Sequence, residues 1–194
     1  MKYFASMAAL LVLLATSAAQ AGVIANTSIT ASTTLIERPS LVPGDTWAVG
    51  ELVDGIISDA YPFFGFVSTS TSGTIHLTLD GLYDLNEFRL WNDLNVLDEG
   101  VRTFRLDFFD ENSSLLSSTG VFTAVSQLAV QVYGFGTVAG VKSVDLVILS
   151  SNLQIEIREV GLSGTPVAVP APAGLGVLLL GLVIMRLNRR PALA

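Results

Sequence analysis

Apolar and polar residues alternate through the middle of the chain and stop alternating at both ends. Residues 74–80 put Ile75, Leu77 and Leu79 on one side of an extended segment. Residues 86–91 and 101–108 keep the same period of two, which turns successive side chains to opposite faces of a strand. Further strands are expected over 120–125, 128–133, 141–149 and 153–160. In the last of these, Leu153, Ile155 and Ile157 should point inward, and Gln154, Glu156 and Arg158 outward. Turn residues punctuate the series at Asp80-Gly81, Asp98-Glu99-Gly100, residues 110–114 and Ser150-Ser151-Asn152. No segment has a convincing helical period. Short strands at this spacing predict an all-β protein, an antiparallel β-sandwich over residues 22–164.

The ends follow different rules. Lys2 precedes an apolar run over 4–19, broken only by Ser6, Thr16 and Ser17. Ala19 and Ala21 then place small residues at −3 and −1 of a cleavage site before Gly22, the three-part pattern of a secretory signal peptide over 1–21. An uncleaved anchor fits less well, because the run is short and polar chain follows at once. At the other end, residues 167–185 are uncharged and mostly apolar. At ~1.5 Å rise per residue such a run only just crosses a ~30 Å hydrocarbon core. Pro170 and Pro172 confine the regular helix to about 173–185, after a Pro-rich linker over 165–172. Arg186, Arg189 and Arg190 in the tail 186–194 predict a cytoplasmic C-terminus and an exported domain.

Val169-Pro170-Ala171-Pro172, the apolar run containing Gly181-Leu182, and the arginine cluster together resemble the PEP-CTERM sorting signal of Gram-negative bacteria. That resemblance implies processing by an exosortase, a membrane protease-transpeptidase. It also implies transient anchoring in the inner membrane and delivery to the outer surface or extracellular matrix. Ala171 stands where the family places Glu, so this tail departs from the signal at one position. A plain single-pass anchor would carry nearly the same residues.

Charge narrows the choice of partner. All seventeen acidic residues fall within 22–164, against six basic ones, giving that segment a net charge of −11. Such a surface repels nucleic acid and anionic lipid. There is no cysteine, hence neither a disulfide framework nor a thiol nucleophile. Hydrolase chemistry has little to start from. His76 is the only histidine and lies on the polar side of its strand, and no Gly-x-Ser-x-Gly elbow occurs. Acidic pairs such as Asp107 with Asp110, or Asp98 with Glu99, are what seventeen carboxylates produce by abundance. A non-enzymatic protein is expected.

The order of landmarks along the domain resembles the discoidin-like, galactose-binding-like jelly rolls. The segments carrying the likeness are Leu52-Val53-Asp54-Gly55, residues 75–81 with Tyr83, Phe88-Arg89-Leu90-Trp91-Asn92, residues 104–108, and the closing Glu159–Gly164 stretch. The resemblance implies a structural Ca²⁺ where the Asp-Gly loop meets the last strand, with Asp54 and Glu159 supplying carboxylates. Asp59 is a plausible third ligand. Without metal, Asp54 would bond only its own turn and Glu159 would lie on a solvated strand. The resemblance also implies a glycan site in end loops, where an aromatic platform stands beside polar groups. Trp47, Tyr61 and Phe64, with Asp59 and Asn92, are the candidates. A carbohydrate-binding module of the cell envelope or biofilm matrix is therefore expected, with a structural matrix protein lacking any specific sugar ligand as the alternative.

Overall fold

The computed structural model describes residues 21–40, 42–58, 60–92 and 99–168. Ten strands form there: β1 (Gly22–Val23), β2 (Ile29–Thr33), β3 (Phe66–Ser68), β4 (Gly73–Trp91), β5 (Gly100–Phe109), β6 (Leu115–Ser118), β7 (Phe122–Thr123), β8 (Gln131–Asn152), β9 (Ile155–Ile157) and β10 (Glu159–Pro166). The main sheet runs β1-β10-β4-β8-β5-β6, with β2 added to β4 and β7 to β5, while β3 and β9 form a small second sheet. The strand pairings are antiparallel. Two 3-10 turns, Asn26–Ser28 and Val49–Val53, complete the regular structure among the described residues. The expected all-β antiparallel sandwich is what the chain forms.

Two expected interruptions are instead bends within long strands. Asp80-Gly81 does not end a strand: β4 runs through it, and its register to β8 slips between Thr78 and Tyr83, Tyr83 and Leu85, and Leu85 and Glu87. A one-residue slip moves a strand's side chains to the other face. Accordingly the buried set of β4 passes from Ile75, Leu77, Leu79 and Leu85 to Phe88 and Leu90. Residues 131–133 of the segment expected at 128–133 and the whole of that expected at 141–149 are likewise one strand, β8, whose phase changes beside Gly140 at φ +70°, while residues 128–130 stay outside it. Only Phe122 and Thr123 of 120–125 join the sheet, and β2, β3 and β6 form where no alternation announced them.

These strands enclose a core of Ile75, Leu77, Phe88, Phe104, Leu106, Phe108, Leu146, Ile157, Leu162 and their neighbours. Its aromatic corner is tight, with Phe88 and Phe104 rings 5.5 Å apart and Tyr133 edge-on to Phe104 at 4.9 Å. The expected alternation over 153–158 fails. Leu153 adopts φ +59° and is 72% exposed, whereas Gln154, Glu156 and Arg158 are buried. Segment 35–64 explains this, because it covers that face: Arg38 N bonds Val67 O, and Arg158 Nη1 donates to Ile57 O at 3.4 Å. What looked like a solvated strand face is the floor under a layer of loops.

The last strand continues to Pro166, past the boundary expected at Gly164. Gly164 is required there, since a Cβ would lie 2.5 Å from Asp84 O at the bulge between Ser163 and Gly164. Among the described residues no helix is long and apolar enough to cross a membrane. The expected span at 173–185 and the sorting residues Val169, Pro170, Ala171, Pro172, Arg186, Arg189 and Arg190 lie outside the described residues, as does Ala19 of the cleavage site.

Candidate functional site

Segment 35–64 builds two polar features. Its anchor is the Val49–Val53 turn, which buries Leu52 and Val53 in the core. From there the chain folds back on itself: Asp45 Oδ1 accepts from Phe63 N at 2.8 Å, and Glu37 Oε1 accepts from Val49 N at 2.8 Å. Thr46 and Phe64 form an isolated bridge. These bonds fix loops that carry no regular structure of their own.

The first feature is a cleft of about 350 Å³ lined by Glu37, Arg38, Ser40, Asp45, Thr46 and Trp47. The Arg38 guanidinium carbon stands 5.7 Å from the Trp47 ring centroid, a cation–π arrangement. Arg38 Nη1 donates to Gln154 Oε1 at 2.8 Å. Gln154 Nε2 in turn donates to Glu99 Oε2 at 2.9 Å and to Glu156 Oε2 at 3.2 Å. Arg38 is thus held against the indole by a buried amide rather than by a direct carboxylate contact. Trp47 Nε1 is buried and has no hydrogen-bond partner among the described residues. An indole, a guanidinium and two carboxylates around one cleft set hydrogen-bonding groups for sugar hydroxyls beside an apolar ring.

Of the expected ligand residues, Trp47 lines this cleft. Tyr61 is 58% exposed on the same loop layer; its hydroxyl donates to Pro43 O and its ring meets Phe63 edge-on at 6.2 Å. Phe64 is half-buried beside Thr46, and Asp59 lies outside the described residues. Asn92 is a correction. It is fully buried, accepts from Val101 N at 2.8 Å, and donates to Val101 O at 2.7 Å and Val125 O at 2.9 Å. Its side chain ties core strands to a loop and is closed to any ligand. Arg38 and Gln154 escaped the sequence reading: one sits in a stretch without periodicity, the other on a face expected to be wet.

The second feature gathers Glu51, Asp54 and Glu159. Gly55 holds φ +84°, so its N–H reaches Glu159 Oε1 at 3.3 Å, and Asn26 Nδ2 donates to the same oxygen. Asp54 Oδ1 caps its own turn through Ile56 N at 2.7 Å. Glu159 Oε2 is buried and without a hydrogen-bond partner. Burial, then the nearby Asp54 charge, pushes the Glu159 carboxyl up to about 8, against the opposing bonds from Gly55 and Asn26. Burial, followed by Asp54, likewise lifts Glu51 to about 7. Asp54 and Glu159 therefore meet as expected, and Glu159 is buried rather than solvated.

Whether Ca²⁺ suits this place depends on the donor set. Among the described residues no group of three or more Asp, Glu or His side chains converges to hold a metal ion. In favour of a cation are two adjacent carboxylates and one buried, unbonded carboxylate oxygen, Oε2 of Glu159. A Ca²⁺ ion takes ~6–8 oxygens, of which these side chains would supply a minority. Elsewhere, His76 Nδ1 lies 2.6 Å from Asp145 Oδ1 on an open sheet face, with the Arg105–Asp107 pair in the next register position of β5. This is a partnered surface histidine.

No protein-family model matches the sequence, and no curated protein matches it. Solved structures do resemble it. The CpGH89CBM32-5 module from Clostridium perfringens, in complex with GalNAc-β-1,3-galactose, is similar with a TM-score of 0.61 at 14% identity, covering 73% of this chain and 99% of that one. The family 32 module of C. perfringens NanJ, in complex with galactose, gives 0.58 at 12% identity over 74% and 99%. The C-terminal domain of a chitobiase from Bacteroides fragilis gives 0.60 at 18% identity over 76% and 100%. These likenesses show that the chain shares the β-sandwich fold of those modules.

Proposed function

We propose that this is an exported, non-enzymatic carbohydrate-binding protein whose cleft at Arg38 and Trp47 receives a glycan of the envelope or extracellular polysaccharide matrix. The observation that carries the reading is the Arg38 guanidinium standing over Trp47 and fastened from behind by buried Gln154. Tyr61 and Phe64 extend the apolar surface of the same loops. The reading draws support from solved modules of this fold that hold galactose and GalNAc-β-1,3-galactose. The PEP-CTERM-like tail adds a route: export, transient anchoring through 173–185, and exosortase processing near Pro170–Pro172. A structural Ca²⁺ at Asp54 and Glu159, completed by main-chain oxygens, would steady the Asp54-Gly55 turn against the last strand.

The test is a glycan array probed with the full chain and with Trp47→Ala. Binding that drops at least tenfold in the variant supports the cleft. An array blank for both, with and without Ca²⁺, would leave the alternative of a structural matrix protein. That alternative has one observation on its side, since Glu37 and Asp45 both spend a carboxylate oxygen on loop amides. Mass analysis of the mature protein tests the tail: a C-terminus near residues 170–173 is expected, and an intact Ala194 would overturn processing.

A further inference from the structure

We propose a second saccharide site, for a neutral sugar chain, in the groove between two open strand edges on another part of the sandwich. Among the described residues β6 pairs only with β5, and residues 131–138 of β8 pair only with β4. Between these edges lies a cleft of about 350 Å³. Phe108 forms its buried floor, with the Phe135 ring 5.0 Å away, and half-buried Phe122 and Phe135 form its walls. Exposed Ser117 and Thr137 stand at its rim. At Gly136, also in the lining, an added Cβ would meet nothing within 4 Å, so no side chain crowds the cleft there.

The chemistry of the lining selects the occupant. No charged residue occurs between Glu111 and Lys142, and every lining residue except Phe108 comes from that run, in a domain of net charge −11. A groove without charge gains nothing from an ionic ligand. Rings below and hydroxyls above suit a molecule with apolar C–H faces and hydroxyl edges. An acyl chain would instead need a closed, dry pocket. The occupant is thus a neutral saccharide lying along the groove. This inference rests on the carbohydrate-binding reading and extends it: two sites on one rigid sandwich give avidity for a polymer and can bridge two chains.

Affinity electrophoresis of the detergent-solubilised full chain through gels containing neutral galactan, with polygalacturonate as the acidic comparison, tests the proposal. Gly136→Leu sets a bulky side chain among the lining residues at a position where its Cβ would meet nothing within 4 Å, and Phe135→Leu removes one wall as a second variant. Retardation by galactan should fall at least fivefold in Gly136→Leu, with an unchanged melting curve, and in Phe135→Leu, which loses the Phe108 contact and melts somewhat earlier but is folded at assay temperature. Trp47→Ala should retain part of the retardation, and Trp47→Ala with Gly136→Leu should lose it. If Trp47→Ala alone abolishes retardation while Gly136→Leu matches the parent, the second site is overturned and the Arg38–Trp47 cleft stands. If Gly136→Leu abolishes it while Trp47→Ala matches the parent, the groove stands and the cleft fails. Stronger retardation by polygalacturonate than by galactan would overturn the neutral-ligand assignment, and free migration of every variant would overturn both sites.

Discussion

Asn92 shows how one residue type can mislead at the scale of a single side chain. A polar residue at a strand end, next to Trp91, has the composition of a binding loop. Its amide nevertheless satisfies the buried N–H and carbonyl of Val101 and also bonds Val125 O at the loop, which is the commoner employment of a buried Asn. Gly100 completes the device, because at φ +94° a Cβ there would lie 2.5 Å from Asn92 O. Asn92→Ala removes the side-chain partner of Val101 N and Val101 O, while Val125 O keeps Gln131 Nε2, and should cost about 2–4 kcal/mol. Urea unfolding would measure that loss. Glycan affinity of the folded fraction should not change, and a tenfold loss of affinity at full folding would return Asn92 to the binding site. Arg38→Lys makes the opposite test, keeping the charge and losing the planar stack on Trp47. It should lower glycan affinity several-fold in titration calorimetry and leave the melting temperature within ~2 °C.

At the scale of elements, the alternation of 74–80, 86–91 and 101–108 was sufficient to announce strands, because one face of each is buried and the other is wet. Two things hid the rest. The slips in β4 and β8 are tertiary: Asp80-Gly81 carries the residues of a turn, but the pairing on both sides keeps the strand going. The 153–158 segment has alternating residues whose polar set is covered by loops, a burial that no local pattern encodes. The same layer explains why Asp54 and Glu159 were legible as a pair while Arg38 and Gln154 were not. The first pair belongs to motifs of recognisable order; the second joins positions 116 residues apart, one of them in a stretch without period. Gln154→Leu should therefore detach the loop layer rather than melt the sandwich. Hydrogen exchange should rise in 36–48, with core amides of β4 and β8 unchanged, and uniform acceleration across both would contradict a local role.

At the scale of the whole molecule, the excess of eleven negative charges within residues 22–164 makes acidity a matter of stability as well as of partner choice. Glu159 and Glu51 have folded-state values raised to about 8 and about 7 from ordinary values of 4.5. A carboxyl raised on folding binds its proton more tightly in the folded state. Its stabilising contribution is complete below about 4.5 and is lost as pH rises toward 8. In EDTA the melting temperature should therefore fall between pH 5 and 8. General repulsion among surface carboxylates acts in the same direction, but ~0.5 M salt screens it while leaving the buried cluster largely untouched. The fall should persist in that salt and shrink in Glu159→Gln, which keeps the shape and leaves only the Glu51 titration. A cation at Asp54 and Glu159 reverses the slope, because it binds the ionised form. At 100 times its dissociation constant Ca²⁺ would add ~2.7 kcal/mol, roughly 5–10 °C for a domain of this size. The gain should be larger at pH 8 than at pH 5. Calorimetric scans at both pH values, with EDTA or millimolar Ca²⁺, separate the two effects. A slope in EDTA with no Ca²⁺ response at pH 8 would keep the buried carboxyl and remove the metal.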